Sequence, residues 1–152
     1  MNTYSGQYKK TSRDLKKNIE DMPKKDDPKS IGKRNELIVI AKLLEHCFDV
    51  YYQQVQMNVD CIIKLDENCY IDIEIKSTSS INNVNPHRFN GPSKRNRRNN
   101  LYYIFYVERD DDFFIIPSSE IVSKLDMKKE RWQKYKNDEG FKLLKNYKLT
   151  CD

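Results

Sequence analysis

The stretch Ile71-Asp72-Ile73-Glu74-Ile75-Lys76 alternates an apolar residue with an ionisable one. On a β-strand successive side chains point to opposite faces, so the three isoleucines enter one layer and Asp72, Glu74 and Lys76 share the other. Glu74 and Lys76 thus place an acid beside an amine. Fourteen residues before Glu74, Asp60 is a lone carboxylate in the β-branched run Asn58-Val59-Asp60-Cys61-Ile62-Ile63. If these are adjacent strands joined by a tight turn, Asp60 and Glu74 can meet. Two converging carboxylates beside a lysine make a site for a hard cation with an amine held next to it. Asp72 shares the face of Glu74 and is either an alternative ligand or an exposed acid.

Glu36 is the third acid of interest. In a helix it lies near Ile40, Leu43 and Cys47, on the border of the apolar stripe. From there it can point along a helix–sheet interface toward the strand carboxylates. The plainer reading is a solvated glutamate of the first turn that complements the helix dipole.

The elements that must position these residues are legible in the hydrophobic periodicity. Leu37, Ile40, Ala41, Leu44 and Cys47/Phe48 recur at helical spacing, which predicts an amphipathic helix over 32–47. Val50–Met57, Val59–Leu65 and Cys69–Ser77 are rich in β-formers, with Asp66-Glu67-Asn68 as a turn, and predict a three-strand meander. Residues 78–100 read as a loop rich in Ser, Asn and Arg, broken by Pro86, Gly91 and Pro92. Leu101–Val107 and Phe113–Pro117 predict a hairpin through Glu108–Asp112, with Tyr102, Tyr103 and Tyr106 as packing residues. A helix is expected near Ser119 and another over Lys128–Asn137. The order is that of a single α/β or α+β domain, with 31–152 as the domain and 1–30 as a basic, polar N-terminal extension. Ser12–Met22 could form a short helix that nothing requires to pack.

The chain has 152 residues, which fits one domain. It carries no apolar run near the roughly 20 residues needed to span a bilayer, and its first residues lack a secretory signal core. A soluble, cytoplasmic protein with no membrane partner is expected. The four cysteines contain no C-x-x-C pair, so reduced thiols are expected and structural zinc is disfavoured. Net charge is +5, unevenly spread. Residues 1–34 hold ten Lys/Arg against five acids, and residues 35–81 hold three against eight. Residues 82–100 hold Arg88, Lys94, Arg95, Arg97 and Arg98 with no acid. An acidic centre between basic stretches suits carboxylates that hold a cation while basic arms hold a polyanion. Solvated charged faces are the ordinary alternative.

Glu36 on an opening helix, then Asp60, then Glu74-Ile75-Lys76 in a strand, resembles the PD-(D/E)XK nuclease superfamily. That superfamily includes many restriction endonucleases and the archaeal Holliday-junction resolvases. The resemblance covers about residues 31–77 well and 101–125 loosely; Lys33-Arg34-Asn35-Glu36 followed by Leu37–Leu44 is similar to the resolvase-type first helix. Val59 stands where the naming proline would be, and breakers occupy 78–100 where members usually place a helix. The resemblance implies a restriction endonuclease-like core, a central mixed β-sheet flanked by helices. It implies Mg²⁺, with Mn²⁺ able to substitute, held by Asp60, Glu74 and the backbone carbonyl of Ile75, with Glu36 bound directly or through water. Lys76 would orient or deprotonate the attacking water. The implied activity is hydrolysis of DNA phosphodiester bonds, in duplex or branched DNA, by a resolvase-like or restriction/homing-type endonuclease. A homodimer is the natural way for a chain of this size to make paired cuts. Arg88, Lys94, Arg95, Arg97 and Arg98 are the expected DNA-binding residues. The competing readings are an inactive DNA-binding module of the same fold and an α+β interaction domain in which Glu74 and Lys76 are a surface pair.

Overall fold

Asp27 and Pro28 open the long helix ahead of the predicted start. In the computed structural model, which describes residues 7–9, 12–21, 27–53, 59–81, 83–92 and 99–147, the chain begins with β1 (Gln7–Lys9), α1 (Ser12–Asp21) and α2 (Pro28–Glu45). The Asp27 carboxylate accepts the Ser30 N–H at 3.0 Å, and Pro28 sits in the first turn, where its missing N–H costs nothing. At the other end, the Phe48 N–H bonds the Leu43 carbonyl (3.1 Å) and the Cys47 N–H bonds the Leu44 carbonyl (3.0 Å). Cys47 adopts φ 64°, completing a Schellman turn at a position that usually takes glycine.

The meander follows as predicted. β2 (Asp49–Gln53), β3 (Cys61–Asp66) and β4 (Cys69–Thr78) are antiparallel neighbours. β6 (Leu101–Val107) and β7 (Asp112–Pro117) form the predicted hairpin through a 3₁₀ turn at Glu108–Asp110. The main sheet has the order β1-β2-β3-β4-β6-β7, and β4 and β6 run parallel. The class is therefore mixed α+β, as the sequence predicts. Residues 1–30 do not stand wholly apart from it. β1 pairs with β2, Leu15 of α1 is fully buried in the main core, and Lys16 pairs with Glu45 of α2 at 2.9 Å. Ile19, one turn further on, packs against the same core, so two apolar residues at i and i+4 dock an otherwise polar helix.

The two faces of the sheet are covered differently. α1, α2 and α3 (Asn137–Lys145) bury Ile71, Ile73, Tyr102, Ile104, Phe113 and Ile115 on one face. On the other, Tyr103, Phe105, Phe114 and Ile116 pack under Phe89, Leu125 and Trp132. Those three belong to a two-stranded ribbon of β5 (Arg88–Asn90) and β8 (Lys124–Asp126) and to a 3₁₀ turn at Glu130–Tyr135. Neither predicted helix forms as expected: Ser118–Glu120 is a 3₁₀ turn, Lys128–Asn137 is mostly another, and α3 begins only at Asn137. Asn137 sits at φ 49° and uses its side chain to bond Phe113 N–H (2.8 Å) and Asp112 (2.9 Å), so α3 starts where it is fastened to β7. Between β4 and β6 the described residues contain β5 and no helix.

Cys47 and Cys61 are free, whereas Cys69 is disulfide-bonded, contrary to the expectation of reduced thiols throughout. Among the described residues no helix is long and apolar enough to cross a membrane.

Candidate active site

The β3–β4 turn sets the register in which Asp60 lies against β4. Cys61 pairs with Ile73 and Ile62 with Asp72. Just beyond the end of β3, the Asp60 N–H bonds the Ile73 carbonyl at 3.0 Å, and Asp60 Oδ2 accepts the Ile75 N–H at 2.6 Å. The Asp60 carboxylate thus takes the place of the strand that has ended, satisfying a backbone donor that would otherwise lack a partner. These two bonds bracket Glu74. The N–H and C=O of one strand residue point the same way, so the Ile75 carbonyl faces the side on which Asp60 lies.

Glu36 reaches the same region from α2. Its side chain is 19% exposed and lies 3.7 Å from Lys33 Nζ. Burial pushes its carboxyl above the ordinary range, the Lys33 ammonium pulls it back, and the charges of Asp60 and Glu74 push it up again. The Asp60 carboxyl is also raised, chiefly by burial, against the Ile75 N–H and the charges of Lys76 and Lys33. Half-buried like charges within reach of one another are the electrostatic pattern of a functional cleft. Among the described residues no three His, Cys, Asp or Glu side chains are gathered into a ready-made metal cage. Mg²⁺ commonly takes one or two carboxylates with waters and not a complete protein shell, a donor set that Asp60 and Glu74 fit.

Lys76 is exposed, on the same face of β4 as Glu74. Asp72 lies on that face as well, opposite Ile62, two positions along β3 from Asp60. Two residues join the site that the sequence did not single out. Lys33 is held by a hydrogen bond to the Tyr52 hydroxyl of β2 and lies 4.9 Å from the centre of that ring. Burial acts to lower the Lys33 ammonium, but the Tyr52 bond and the Glu36 charge outweigh it and keep it raised. The i,i+3 spacing from Lys33 to Glu36 is a signal that could have found the lysine; Tyr52 has none.

Arg88 is exposed on β5. Lys94, Arg95, Arg97 and Arg98, also expected to bind DNA, lie outside the described residues. His87 is bonded to Asp110, Tyr106 to Asp111 at 2.8 Å, and Asp112 pairs with Lys136 at 3.4 Å. The acidic turn 110–112 is therefore a set of fastenings around β6 and β7. Glu108 fixes the end of β4 by accepting the Ser80 N–H at 2.7 Å while pairing with Arg34 of α2 at 3.2 Å.

These elements make a mixed α+β architecture in which Asp60 lies against the central strand β4 and the long helix α2 covers one face of the sheet. The structure is similar to that of a bacterial homing endonuclease, I-Ssp6803I, with a TM-score of 0.63 over 82% of this chain and 95% of that chain. The two share 16% sequence identity, so the likeness is one of fold. No protein-family model and no curated protein matches the chain.

Proposed function

We propose that the protein is a Mg²⁺-dependent endonuclease of the PD-(D/E)XK type that hydrolyses DNA phosphodiester bonds. The observation that carries this reading is the Asp60 side chain laid against β4, with its bonds to Ile73 and Ile75 bracketing Glu74 and with Glu36 close enough to feel both charges. Asp60, Glu74 and the Ile75 carbonyl would hold the ion, with Glu36 acting directly or through water, and Mn²⁺ would serve in its place. Such an ion lowers the pKa of bound water and offsets phosphate charge. The residues of the chain do the rest. The Ile75 N–H fixes the Asp60 carboxylate so that it cannot rotate away. Lys76 orients the attacking water and donates to the phosphoryl oxygens as negative charge builds. Lys33, anchored by Tyr52 and Glu36, adds a second cation beside Glu36.

Likeness to a homing endonuclease that covers nearly all of that chain favours a restriction/homing-type enzyme over a junction resolvase. Two copies related by a two-fold axis would place one site on each strand.

Incubation of purified protein with plasmid and with a four-way junction, in Mg²⁺, Mn²⁺ or EDTA, tests the reading. Cleavage of plasmid in either metal and none in EDTA is expected. Glu74→Ala should fold and lose activity by about 10²-fold or more, the scale set by removal of one transition-state charge partner. Undiminished cleavage by purified Glu74→Ala refutes the assignment.

A further inference from the structure

The β5–β8 ribbon joins segments far apart in the chain, pairing Arg88 with Asp126, Phe89 with Leu125 and Asn90 with Lys124. Opposite residues of an antiparallel pair share a face. Phe89 and Leu125 point inward and are buried, with the Phe89 ring set edge-on 4.9 Å from Phe105. Phe105 is the β6 partner of Lys76, and the Thr78 hydroxyl on β4 donates to the Pro86 carbonyl just before β5. The ribbon is therefore mounted on the face of the sheet that carries Glu74 and Lys76.

Its outer face is polar. Arg88, Asn90 and Lys124 are exposed, and none of the three side chains makes a hydrogen bond or ion pair with another described residue. They line an open cleft of about 530 Å³. The fourth outward residue, Asp126, is occupied by the Lys128 N–H at 3.0 Å. Lys128, Lys129 and Arg131 continue the surface, so basic groups outnumber Asp126 and Glu130. The mount is rigid. The Gly91 N–H bonds the Ser123 carbonyl and the Met127 N–H bonds the His87 carbonyl, both at 2.9 Å, extending the ladder at each end. The backbone at Gly91 is so close to Val122 that a Cβ there would lie 1.9 Å from its carbonyl oxygen.

We propose that this ribbon enters the major groove of duplex DNA and that Arg88, Asn90 and Lys124 read base edges, making them the specificity-determining residues of the protein. The inference rests on the DNA-endonuclease reading above. The major groove, about 12 Å wide, admits a two-stranded ribbon, and arginine or lysine to guanine and asparagine to adenine are the pairings that geometry favours. Rigid elements hold such contacts better than loops do, and cation-rich surroundings supply the sequence-independent attraction.

A randomised duplex library, bound in EDTA so that nothing is cut, tests this with the full chain and with Arg88→Ala, Asn90→Ala and Lys124→Ala, each first shown to melt like the parent. The parent is expected to enrich a motif. Each variant should lose preference at its own one or two positions, by about 5- to 150-fold in affinity for the preferred over the substituted base pair, while the other positions stay selected. Variants that keep the whole motif overturn the ribbon's role, even when affinity falls equally for all sequences and the salt dependence becomes shallower, since that is the mark of phosphate binding. A parent that binds duplex without any motif also overturns it, and leaves the nuclease reading standing. A parent that binds no DNA overturns both.

Discussion

Replacing Glu36 with Gln should stabilise the metal-free protein at neutral pH, and the size of the effect follows from what surrounds the carboxylate. Lys33, 3.7 Å away, is its favourable partner, but that ammonium is 49% exposed. An exposed i,i+3 pair contributes only about 0.3–0.5 kcal/mol. Against it stand the burial of the carboxylate and the charges of Asp60 and Glu74, all of which raise the folded-state pKa. Relief of a half-buried, crowded charge is worth on the order of 1–2 kcal/mol. The net expectation is a gain of about 1 kcal/mol, or about 2–4 °C for a domain of this size. Because the folded pKa is raised, the contribution of Glu36 to stability is fully present below its unfolded value of about 4.3 and is lost as pH rises through the folded one. The advantage of Glu36→Gln should therefore be near zero at pH 4 and complete at pH 7.5. Urea melts in EDTA at the two pH values measure it directly. Added Mg²⁺ at about ten times its Kd should stabilise the parent by about 1.4 kcal/mol and the variant by less, narrowing the gap. If Glu36→Gln is less stable than the parent at pH 7.5 without metal, or if its advantage is the same at pH 4, the crowding argument is wrong.

Lys76→Ala should lower cleavage by about 10²- to 10⁴-fold with Mg²⁺ binding, followed by calorimetry, no weaker than in the parent; a loss of metal affinity would mean that Lys76 supports the ion site and not the water. Cys47→Gly should stabilise the fold by about 0.5 kcal/mol, since φ 64° at Cys47 costs a non-glycine residue about 1–2 kcal/mol and glycine returns part of that gain in unfolded-state entropy; a lower melting temperature would contradict it. Joint exchange of Arg95, Arg97 and Arg98 for Ala should flatten the plot of log affinity against log salt by about 0.9 for each duplex phosphate that the variant no longer neutralises. An unchanged slope would show that this stretch does not grip DNA.

The sequence by itself determined those features whose cause is local. Alternation over 71–76 dictates that Glu74 and Lys76 share a face, and the Asp66–Asn68 turn dictates that the two strands meet with Asp60 at the level of Glu74. Helical spacing revealed α2, although its first turn was hidden because Pro28 reads as a breaker until Asp27 is seen to cap it. The tertiary structure alone decided the rest, because the groups involved are far apart in the chain and leave no periodic trace. Tyr52 reaches Lys33 across the α2–β2 boundary, and Leu15 and Ile19 dock a helix that is otherwise polar. Phe89 finds Leu125 to make a ribbon from what reads as a loop and the stretch after an expected helix start near Ser119. Strands of three residues are too short to show alternation, and only the apolar wall of Tyr103, Phe105 and Trp132 beneath them makes their pairing stable.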